Sequence, residues 1–144
     1  MKVIFDLDGT LADISHRLHF IQQEKKDWDS FFNACLLDKP IIQTVDVARA
    51  LYEAGFVIEI WSGRSDRVRR ETEEWLKRNN VRFHLMRMRS ETDRRSDVVL
   101  KESWLHSITP KVMWPTLVFE DRSRVVEMWR KNGIRCFQVE TGDY

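Results

Sequence analysis

Short apolar runs alternate along this chain with longer segments in which apolar residues recur every three or four positions. The short runs predict five buried strands, at residues 3–7, 56–61, 83–88, 116–119 and 134–139. The longer segments predict helices at residues 44–54, 67–80, 97–107 and 123–132, and Gly55 and Gly133 are placed to end the first and the last of these. Strands and helices in alternation favour an α/β fold, in which a parallel sheet carries helices on both faces.

One segment interrupts this alternation. Residues 14–41 follow the first strand and contain two predicted helices, at 16–24 and 28–37. The segment is too short to bury a core of its own. No repeat and no linker rich in glycine or proline divides the chain. We therefore expect residues 1–144 to form a single domain, in which residues 14–41 are a helical insert that covers a site at the end of the first strand.

Composition and charge exclude several classes of protein. The 144 residues are 42% hydrophobic and 33% charged, which is typical of a folded globular chain. A net charge of +1 excludes an overall field that attracts DNA or an acidic membrane. Cys35 and Cys136 lack the spacing of a metal or redox motif, so we expect reduced thiols. Asp6 interrupts the first apolar run and no run spans a bilayer, so the sequence predicts a soluble cytoplasmic protein without a signal peptide.

Polar side chains follow three of the predicted strands where each strand ends. Asp6-Leu7-Asp8-Gly9-Thr10 ends the first, Ser62-Gly63-Arg64 the second and Glu120-Asp121-Arg122 the fourth. In an open parallel sheet, ligands bind beyond the carboxyl ends of the strands. The sequence therefore predicts that carboxylates, a small hydroxyl and an arginine converge on one site. The alternative for residues 6–10 is an acidic turn after the first strand without a functional role.

The residue types at this edge suit phosphoryl transfer. Asp6 and Asp8 are two residues apart, so an extended chain points both carboxylates to one side, where they require a proton or a cation. Oxygen ligands favour a hard ion such as Mg²⁺, and Glu120 with Asp121 would complete its site unless they only pair with nearby arginines. One carboxylate can attack phosphorus while the second carries the proton of the leaving group.

Two further segments offer groups that bind phosphate. The stretch Ser62-Gly63-Arg64-Ser65 is predicted to lead from strand into helix, where a hydroxyl, a glycine backbone and helix N-terminal amides form a phosphate cradle. Lys101, one helical turn after Asp97, offers a fixed ammonium group, although a solvated Asp–Lys pair is the alternative.

At these residues the sequence resembles the haloacid dehalogenase (HAD) phosphohydrolases, and more narrowly the 3′-phosphatase domains of bacteriophage polynucleotide kinases. The narrower likeness rests on residues 96–102, 121–130 and 138–144. The resemblance implies a Rossmann-like three-layer sandwich, with a five-stranded parallel sheet in the order 5-4-1-2-3 and a small helical cap after the first strand. It also implies Mg²⁺ as the cofactor.

Roles carried over from that family fall on the same residues. The resemblance makes Asp6 the nucleophile and a metal ligand, and Asp8 the general acid/base, whose backbone carbonyl touches Mg²⁺. Asp121, with Glu120 beside it, would bind the metal. The phosphoryl group would be held by Ser62, Gly63, Arg64 and the catalytic Lys101, and Asp97 would orient Lys101 or Arg64. Arg17, nine residues after Asp8, matches a substrate-binding arginine.

The sequence departs from that family in three places. Glu120-Asp121 stands where the phage enzymes have two aspartates, the chain has no Gly-x4-Gly-Lys-Ser/Thr motif for a kinase, and the insert at 14–41 differs most. Residues 64–95 contain eleven cations against six acids, which favours either a nucleic-acid groove or ordinary helical surface charge. Trp28 in the insert could stack on a base or simply pack.

These observations together predict a Mg²⁺-dependent phosphomonoesterase that acts on polynucleotide 3′ ends or on nucleotides. A phosphatase for small monophosphates such as 5′-mononucleotides is the first alternative, and a catalytically silent module that binds phosphorylated ends is the second. The expected partner is a phosphorylated nucleotide or nucleic-acid end. Nothing in the sequence indicates a protein partner or a membrane.

Overall fold

The computed structural model describes residues 1–144, and its centre is a five-stranded parallel sheet. The strands are β1 (Lys2–Phe5), β4 (Val57–Ser65), β5 (Leu85–Arg89), β6 (Leu117–Glu120) and β7 (Arg135–Gln138). Two short strands, β2 (Ala12–Asp13) and β3 (Lys39–Pro40), form a separate antiparallel pair. The helices are α1 (His19–Gln22), α2 (Trp28–Asn33), α3 (Ile42–Glu53), α4 (Arg69–Arg78), α5 (Asp97–His106) and α6 (Ser123–Lys131).

The order of the sheet is β5-β4-β1-β6-β7. The five strands of this sheet, counted one to five along the chain, lie in the order 3-2-1-4-5. Read from the opposite edge of the sheet, this is the predicted order 5-4-1-2-3, so the expected α/β fold is confirmed. β1 is central and pairs with β4 on one side and β6 on the other, with Val3 opposite both Ile58 and Leu117. Because β1 has a strand on each side and a hydrophobic core on each face, every residue of Val3–Phe5 is buried. This burial explains the continuous apolar run of the first strand.

A hydrophobic core lies on each face of the sheet. On one face, Phe5 and Ile60 pack with Val45 of α3 and with Trp75 and Leu76 of α4. The other core joins Ile4, Val118 and Trp61 to residues of α5 and α6, including Leu105 and Trp129. The fully buried Trp75 and Trp129 confirm their predicted core positions, and the partly buried Trp104 packs edge-on against Trp61.

The structure corrects two predicted boundaries near the site. β4 runs four residues past the expected end, to Ser65, and its register against β5 shifts between Ser62 and Ser65. A 3₁₀ turn at Asp66–Val68 follows, so α4 begins only at Arg69. The expected passage from strand into helix at residues 62–65 is therefore wrong, because the bulged strand keeps these residues extended.

The insert is less helical than predicted. Its first helix is reduced to the four residues of α1, since residues 22–26 are exposed and bury no apolar side chain against a neighbour. β2 and β3, which the apolar pattern did not predict, pair at the base of the insert and close it into a loop. No helix of the chain combines the length and the apolar character that a bilayer crossing requires.

Candidate active site

A cavity of about 330 Å³ lies at the carboxyl ends of β1, β4 and β6. Its wall includes Asp6 and Asp8 after β1, Ser62, Gly63 and Arg64 of β4, and Glu120 of β6. The insert and the segment before α5 complete the wall. Residues from three separate strand ends and the insert therefore share one cavity, as the sequence predicts.

The buried acids of this cavity surround a buried lysine. Nζ of Lys101 donates to Oδ1 of Asp6 at 2.5 Å and to Oε2 of Glu120 at 2.7 Å. Oxygens of Asp6, Glu120 and Asp121 lie within 4.8 Å of one another. All three acids and Lys101 are buried, so their charges act on one another with little screening.

This grouping changes the protonation of the acids. Burial raises the pKa of Asp6 well above its ordinary value, and the charge of Glu120 raises it further, against the opposing effect of Lys101. Burial and Glu120 likewise raise the pKa of Asp121 to about 7. Burial disfavours the charged form of Lys101, yet Asp6 and Glu120 outweigh it and raise its pKa. A single ammonium therefore does not balance the charge of all three acids, and without a further cation the pKa values of Asp6 and Asp121 shift toward the protonated form.

One carboxylate oxygen in the cluster lacks a partner. Oδ2 of Asp121 is buried and forms no hydrogen bond, whereas Oδ1 accepts from the Thr10 hydroxyl at 3.3 Å. A Cβ added at Gly9 or at Gly142 would overlap this carboxylate, so both glycines allow the backbone to approach it closely. An orphaned carboxylate oxygen beside Asp6, in an all-oxygen group, fits a hard divalent cation.

Asp8 lies in a different electrostatic environment from Asp6. Its Oδ1 accepts from Nη2 of Arg17 at 2.9 Å and from Nη2 of Arg64. Burial alone would raise the pKa of Asp8, but the two guanidinium groups lower it far below its usual value. The pKa of Asp8 is therefore shifted toward the ionised form, whereas that of Asp6 is shifted toward the protonated form.

Asp38, which no sequence pattern singles out, is a buried aspartate that binds both of these arginines. It accepts from Nε and Nη2 of Arg17, each at 2.7 Å, and from Nη2 of Arg64 at 3.1 Å. Nε2 of His16 lies 2.7 Å from its Oδ1. Asp38 belongs to no recognisable motif, and only the fold brings it next to the strand ends.

Arg17 lies behind Asp8. Its side chain is fully buried, contacts Asp8 and Asp38, and is absent from the cavity wall. In this structure Arg17 is thus held by Asp8, Asp38 and the Phe31 carbonyl, and its contact with substrate stays a prediction.

The predicted phosphate cradle is present only in part. Ser62, Gly63 and Arg64 line the cavity, and Oγ of Ser62 accepts from the Arg64 amide at 3.1 Å. A Cβ at Gly63 would come within 2.5 Å of Oδ1 of Asp97, so glycine is required for this close approach. No helix N-terminus contributes, since the chain continues as a strand through Ser65.

Asp97 binds two arginines at the edge of the cavity. Its carboxylate accepts from Nη2 of Arg89 at 2.5 Å and from Nη1 of Arg122. It forms no hydrogen bond with Lys101 or Arg64, although its charge contributes to the raised pKa of Lys101, and its predicted role in orienting either residue stays a prediction. Arg122 ends the fourth predicted strand and Arg89 directly follows the third, so the positions of both at this edge of the sheet agree with the sequence pattern.

Residues after β7 close another side of the site. The Gly142 amide donates to the Asp121 carbonyl at 3.1 Å, and the Tyr144 hydroxyl donates to the backbone carbonyl of Asp8 at 2.9 Å. The Arg122 guanidinium lies 4.3 Å from the centre of the Tyr144 ring. Tyr144 lies in the segment 138–144 that carries the family likeness, but no role at the site was predicted for it.

Comparison with known proteins identifies the family. Residues 1–144 match the family model described as the polynucleotide kinase PNKP phosphatase domain. A chain of the Pnkp1/Rnl/Hen1 complex is 31% identical, with a TM-score of 0.81 over 99% of this chain and 47% of that one. A haloacid dehalogenase-like hydrolase from Streptococcus pneumoniae is 16% identical, with a TM-score of 0.61 over 95% of this chain and 83% of that one.

A class C acid phosphatase from Bacillus anthracis is 14% identical, with a TM-score of 0.71 over 99% of this chain and 67% of that one. It and the Streptococcus pneumoniae hydrolase share the fold. The chain spans about half the length of the repair-complex chains that it matches, 47% in one structure and 43% in another. With the family model matching from end to end and the strand order of a haloacid dehalogenase-like sheet in place, this chain belongs to the family of PNKP phosphatase domains, which are phosphatases with the HAD fold.

Proposed function

We propose that this chain hydrolyses phosphomonoesters at nucleic-acid ends through a covalent phosphate on Asp6. The observation that carries the proposal is the cluster of Asp6, Lys101 and Asp121 in the same cavity as Asp8 and Arg64. A nucleophilic carboxylate, a fixed ammonium and a second carboxylate are the groups that this reaction requires.

In the first step, an ionised oxygen of Asp6 attacks phosphorus, the bond between phosphorus and the leaving oxygen breaks, and that oxygen takes a proton from Asp8. In the second step, Asp8 removes a proton from water, which attacks phosphorus and releases phosphate from Asp6. Lys101 and Arg64 neutralise the phosphoryl oxygens in both steps. The carboxylate of Asp6 thus requires Lys101 next to it, which the 2.5 Å contact provides.

The ionised state of Asp8 suits the second step directly. For the first step Asp8 must bind a proton, and the two arginines oppose this. Arg64 lines the cavity, and its Nε has no partner. When Arg64 turns its donors toward a bound phosphoryl group, Asp8 loses one of its two cationic partners and its pKa rises. We propose this exchange as the way in which substrate binding prepares the general acid.

The acidic cluster fits Mg²⁺, for which we propose Asp6, Asp121 and the backbone carbonyl of Asp8 as ligands. The ion would supply positive charge that neutralises the phosphoryl oxygens. Glu120 instead accepts from Lys101 through Oε2, so we propose that it positions the lysine.

Three features support a nucleic-acid end as the substrate: the family's description, the RNA repair complex to which the similar chain belongs, and the cations at the cavity. The cavity wall includes Lys26, Arg89, Arg94, Arg95, Arg122 and Arg124. Phosphodiesters next to the terminal phosphate would meet these groups. The Rnl and Hen1 partners are known from that complex; here a protein partner remains only a proposal.

A mononucleotide phosphatase is the second candidate, because a cavity of about 330 Å³ is at the small end of ligand pockets. The deciding experiment compares kcat/KM for a 3′-phosphorylated oligonucleotide with that for nucleoside 3′- and 5′-monophosphates. We expect preference for the oligonucleotide. Preference for the mononucleotides would contradict the proposed substrate, and turnover by Asp6→Asn equal to wild type would contradict the proposed chemistry.

A further inference from the structure

The insert presents an exposed indole to the cavity. Trp28, the first residue of α2, lines the same cavity as Asp6 and Asp8, yet 42% of its surface is exposed. The other tryptophans on helices α4 and α6 are fully buried. The indole N–H of Trp28 donates to no group of the chain. A large aromatic ring is thus kept partly in water in the wall of the candidate active site.

The ring is nevertheless held in place. It packs edge-on against Phe31, with centroids 5.7 Å apart, and nearly parallel to Phe32, with centroids 5.9 Å apart. Phe31 is buried, and the Arg17 guanidinium lies 4.2 Å from its centroid. Arg17 in turn donates to Asp8. Direct contacts therefore connect the indole to the proposed general acid, which fixes the position of one relative to the other.

A flexible cation accompanies the ring. Nζ of Lys26, an exposed residue, lies 5.5 Å from the Trp28 centroid, which is near the outer limit of a cation–π contact. A loosely held ammonium can move aside for a planar ligand and then contact that ligand's phosphate. Aromatic rings and cations in alternation are the usual composition of a surface that binds single-stranded nucleic acid.

We propose that Trp28 is the stacking platform for the nucleobase of the terminal nucleotide. The inference rests on the proposed function and extends it, since it assigns how the substrate is recognised beyond its phosphate. The ligand that fits has a phosphomonoester at the acidic cluster and, on the same nucleotide, a neutral planar ring for the indole. Stacking uses the face that every base has, so the site accepts all four bases and rejects an end without a base.

The test compares two 3′-phosphorylated oligonucleotides that differ only at the terminal nucleotide, which carries a base in one and is abasic in the other. Wild type is expected to have a kcat/KM about 10-fold higher for the base-bearing end, a typical effect of one stacked base. Trp28→Ala is expected to remove this preference, whereas Trp28→Phe keeps most of it. Wild type is also expected to hydrolyse glycerol phosphate, which has no base.

The matched control is Phe137→Leu, which alters an aromatic residue that is 49% exposed but outside the cavity wall. It is expected to leave the preference unchanged. Equal rates of wild type on the two oligonucleotides overturn the proposal even if Trp28→Ala does not fold. A preference that survives in a folded Trp28→Ala also overturns it. If wild type hydrolyses glycerol phosphate but shows no preference, the stacking site alone fails; if it hydrolyses no phosphomonoester, the proposed function fails as well.

Discussion

At the scale of single residues, the site separates two aspartates that stand two positions apart. Asp6 is next to Glu120 and Lys101, and burial raises its pKa. Asp8 is next to Arg17 and Arg64, which lower its pKa despite burial. The two pKa values are therefore shifted in opposite directions, and the proposed reaction requires each group to change: a cation beside Asp6 must favour its ionised form, and Asp8 must gain a proton before the leaving group departs.

Magnesium binding should depend on pH through Asp121. Its pKa is raised to about 7 in the folded protein, against about 3.9 in an unfolded chain. The folded state holds this proton more tightly, so the associated stability is complete below about pH 4 and is lost as the pH rises through about 7. Mg²⁺ binds the ionised form of Asp121. The rise in the melting temperature of the protein on addition of Mg²⁺ should therefore be larger at about pH 7.5 than at about pH 5.5. Equal increases at both values would contradict this assignment.

The two neighbouring acids at the end of β6 should respond differently to substitution. Asp121→Asn removes a proposed ligand and should weaken Mg²⁺ binding by about 10-fold or more. Glu120→Gln keeps a carbonyl oxygen for Lys101 and should weaken it far less. Isothermal titration with Mg²⁺ measures both, and the isosteric Glu120→Gln serves as the matched control. A greater loss of affinity in Glu120→Gln than in Asp121→Asn would place the ion on Glu120.

At the scale of elements, one buried carboxylate joins the insert to the sheet. Asp38 precedes β3, and it binds Arg17 from the insert and Arg64 from β4. The backbone carbonyl of Asp38 also accepts a hydrogen bond from the indole N–H of Trp75 in α4, at 2.7 Å. The insert is therefore fixed to two elements of the core by groups that are almost fully buried.

Removal of this carboxylate should destabilise the protein strongly. Asp38→Ala leaves two buried guanidinium groups with less compensating charge, which typically costs about 3–5 kcal/mol. The matched control is Asp46→Ala, since Asp46 pairs with Arg49 on the surface of α3 and such pairs contribute less than about 1 kcal/mol. Urea denaturation measures the two free energies of unfolding. Similar values for both variants would show that Asp38 does not fasten the insert.

At the scale of the whole molecule, a nearly neutral chain concentrates cations at one cavity. Arg94 and Arg124 line it and form no ion pair with an acid of the chain, unlike Arg95, which pairs with Asp93 at 2.6 Å. Free cations at the entrance of an acidic site are suited to the phosphodiesters that precede a terminal phosphate. This local charge can attract a polyanion although the net charge is only +1.

Salt dependence should reveal this contact. The double variant Arg94→Ala with Arg124→Ala should lower kcat/KM for an oligonucleotide at low salt. In a plot of log(kcat/KM) against log[salt], each lost phosphate contact should make the slope about 0.7 less steep, so the double variant should differ from wild type by about 1.4. Arg135→Ala, an exposed residue of β7 away from the cavity, is the control. An unchanged slope in the double variant would exclude these residues from polynucleotide binding.

The features of the fold and site that the sequence predicts are those set by the order of strands and helices, and the features that it misses depend on contacts between residues far apart in the chain. The sheet and the gathering of Asp6, Ser62 and Glu120 were predictable, because strand ends in a parallel sheet meet at one edge. Asp38 and Tyr144 were not, since their roles depend on contacts with residues far away in the chain. The extension of β4 was missed because Ser62–Ser65 has the composition of a turn, whereas pairing with β5 keeps it extended.

The most direct test of the proposed mechanism is to identify the residue that carries the phosphoryl group during turnover. The protein is mixed with an excess of a 3′-phosphorylated oligonucleotide and Mg²⁺, quenched in acid within one turnover, and its peptides are examined by mass spectrometry. The proposed mechanism predicts a phosphoryl group on Asp6 in wild type and none in Asp6→Asn. A phosphoryl group on Asp8 or on any other residue, or turnover without covalent phosphate, would contradict it.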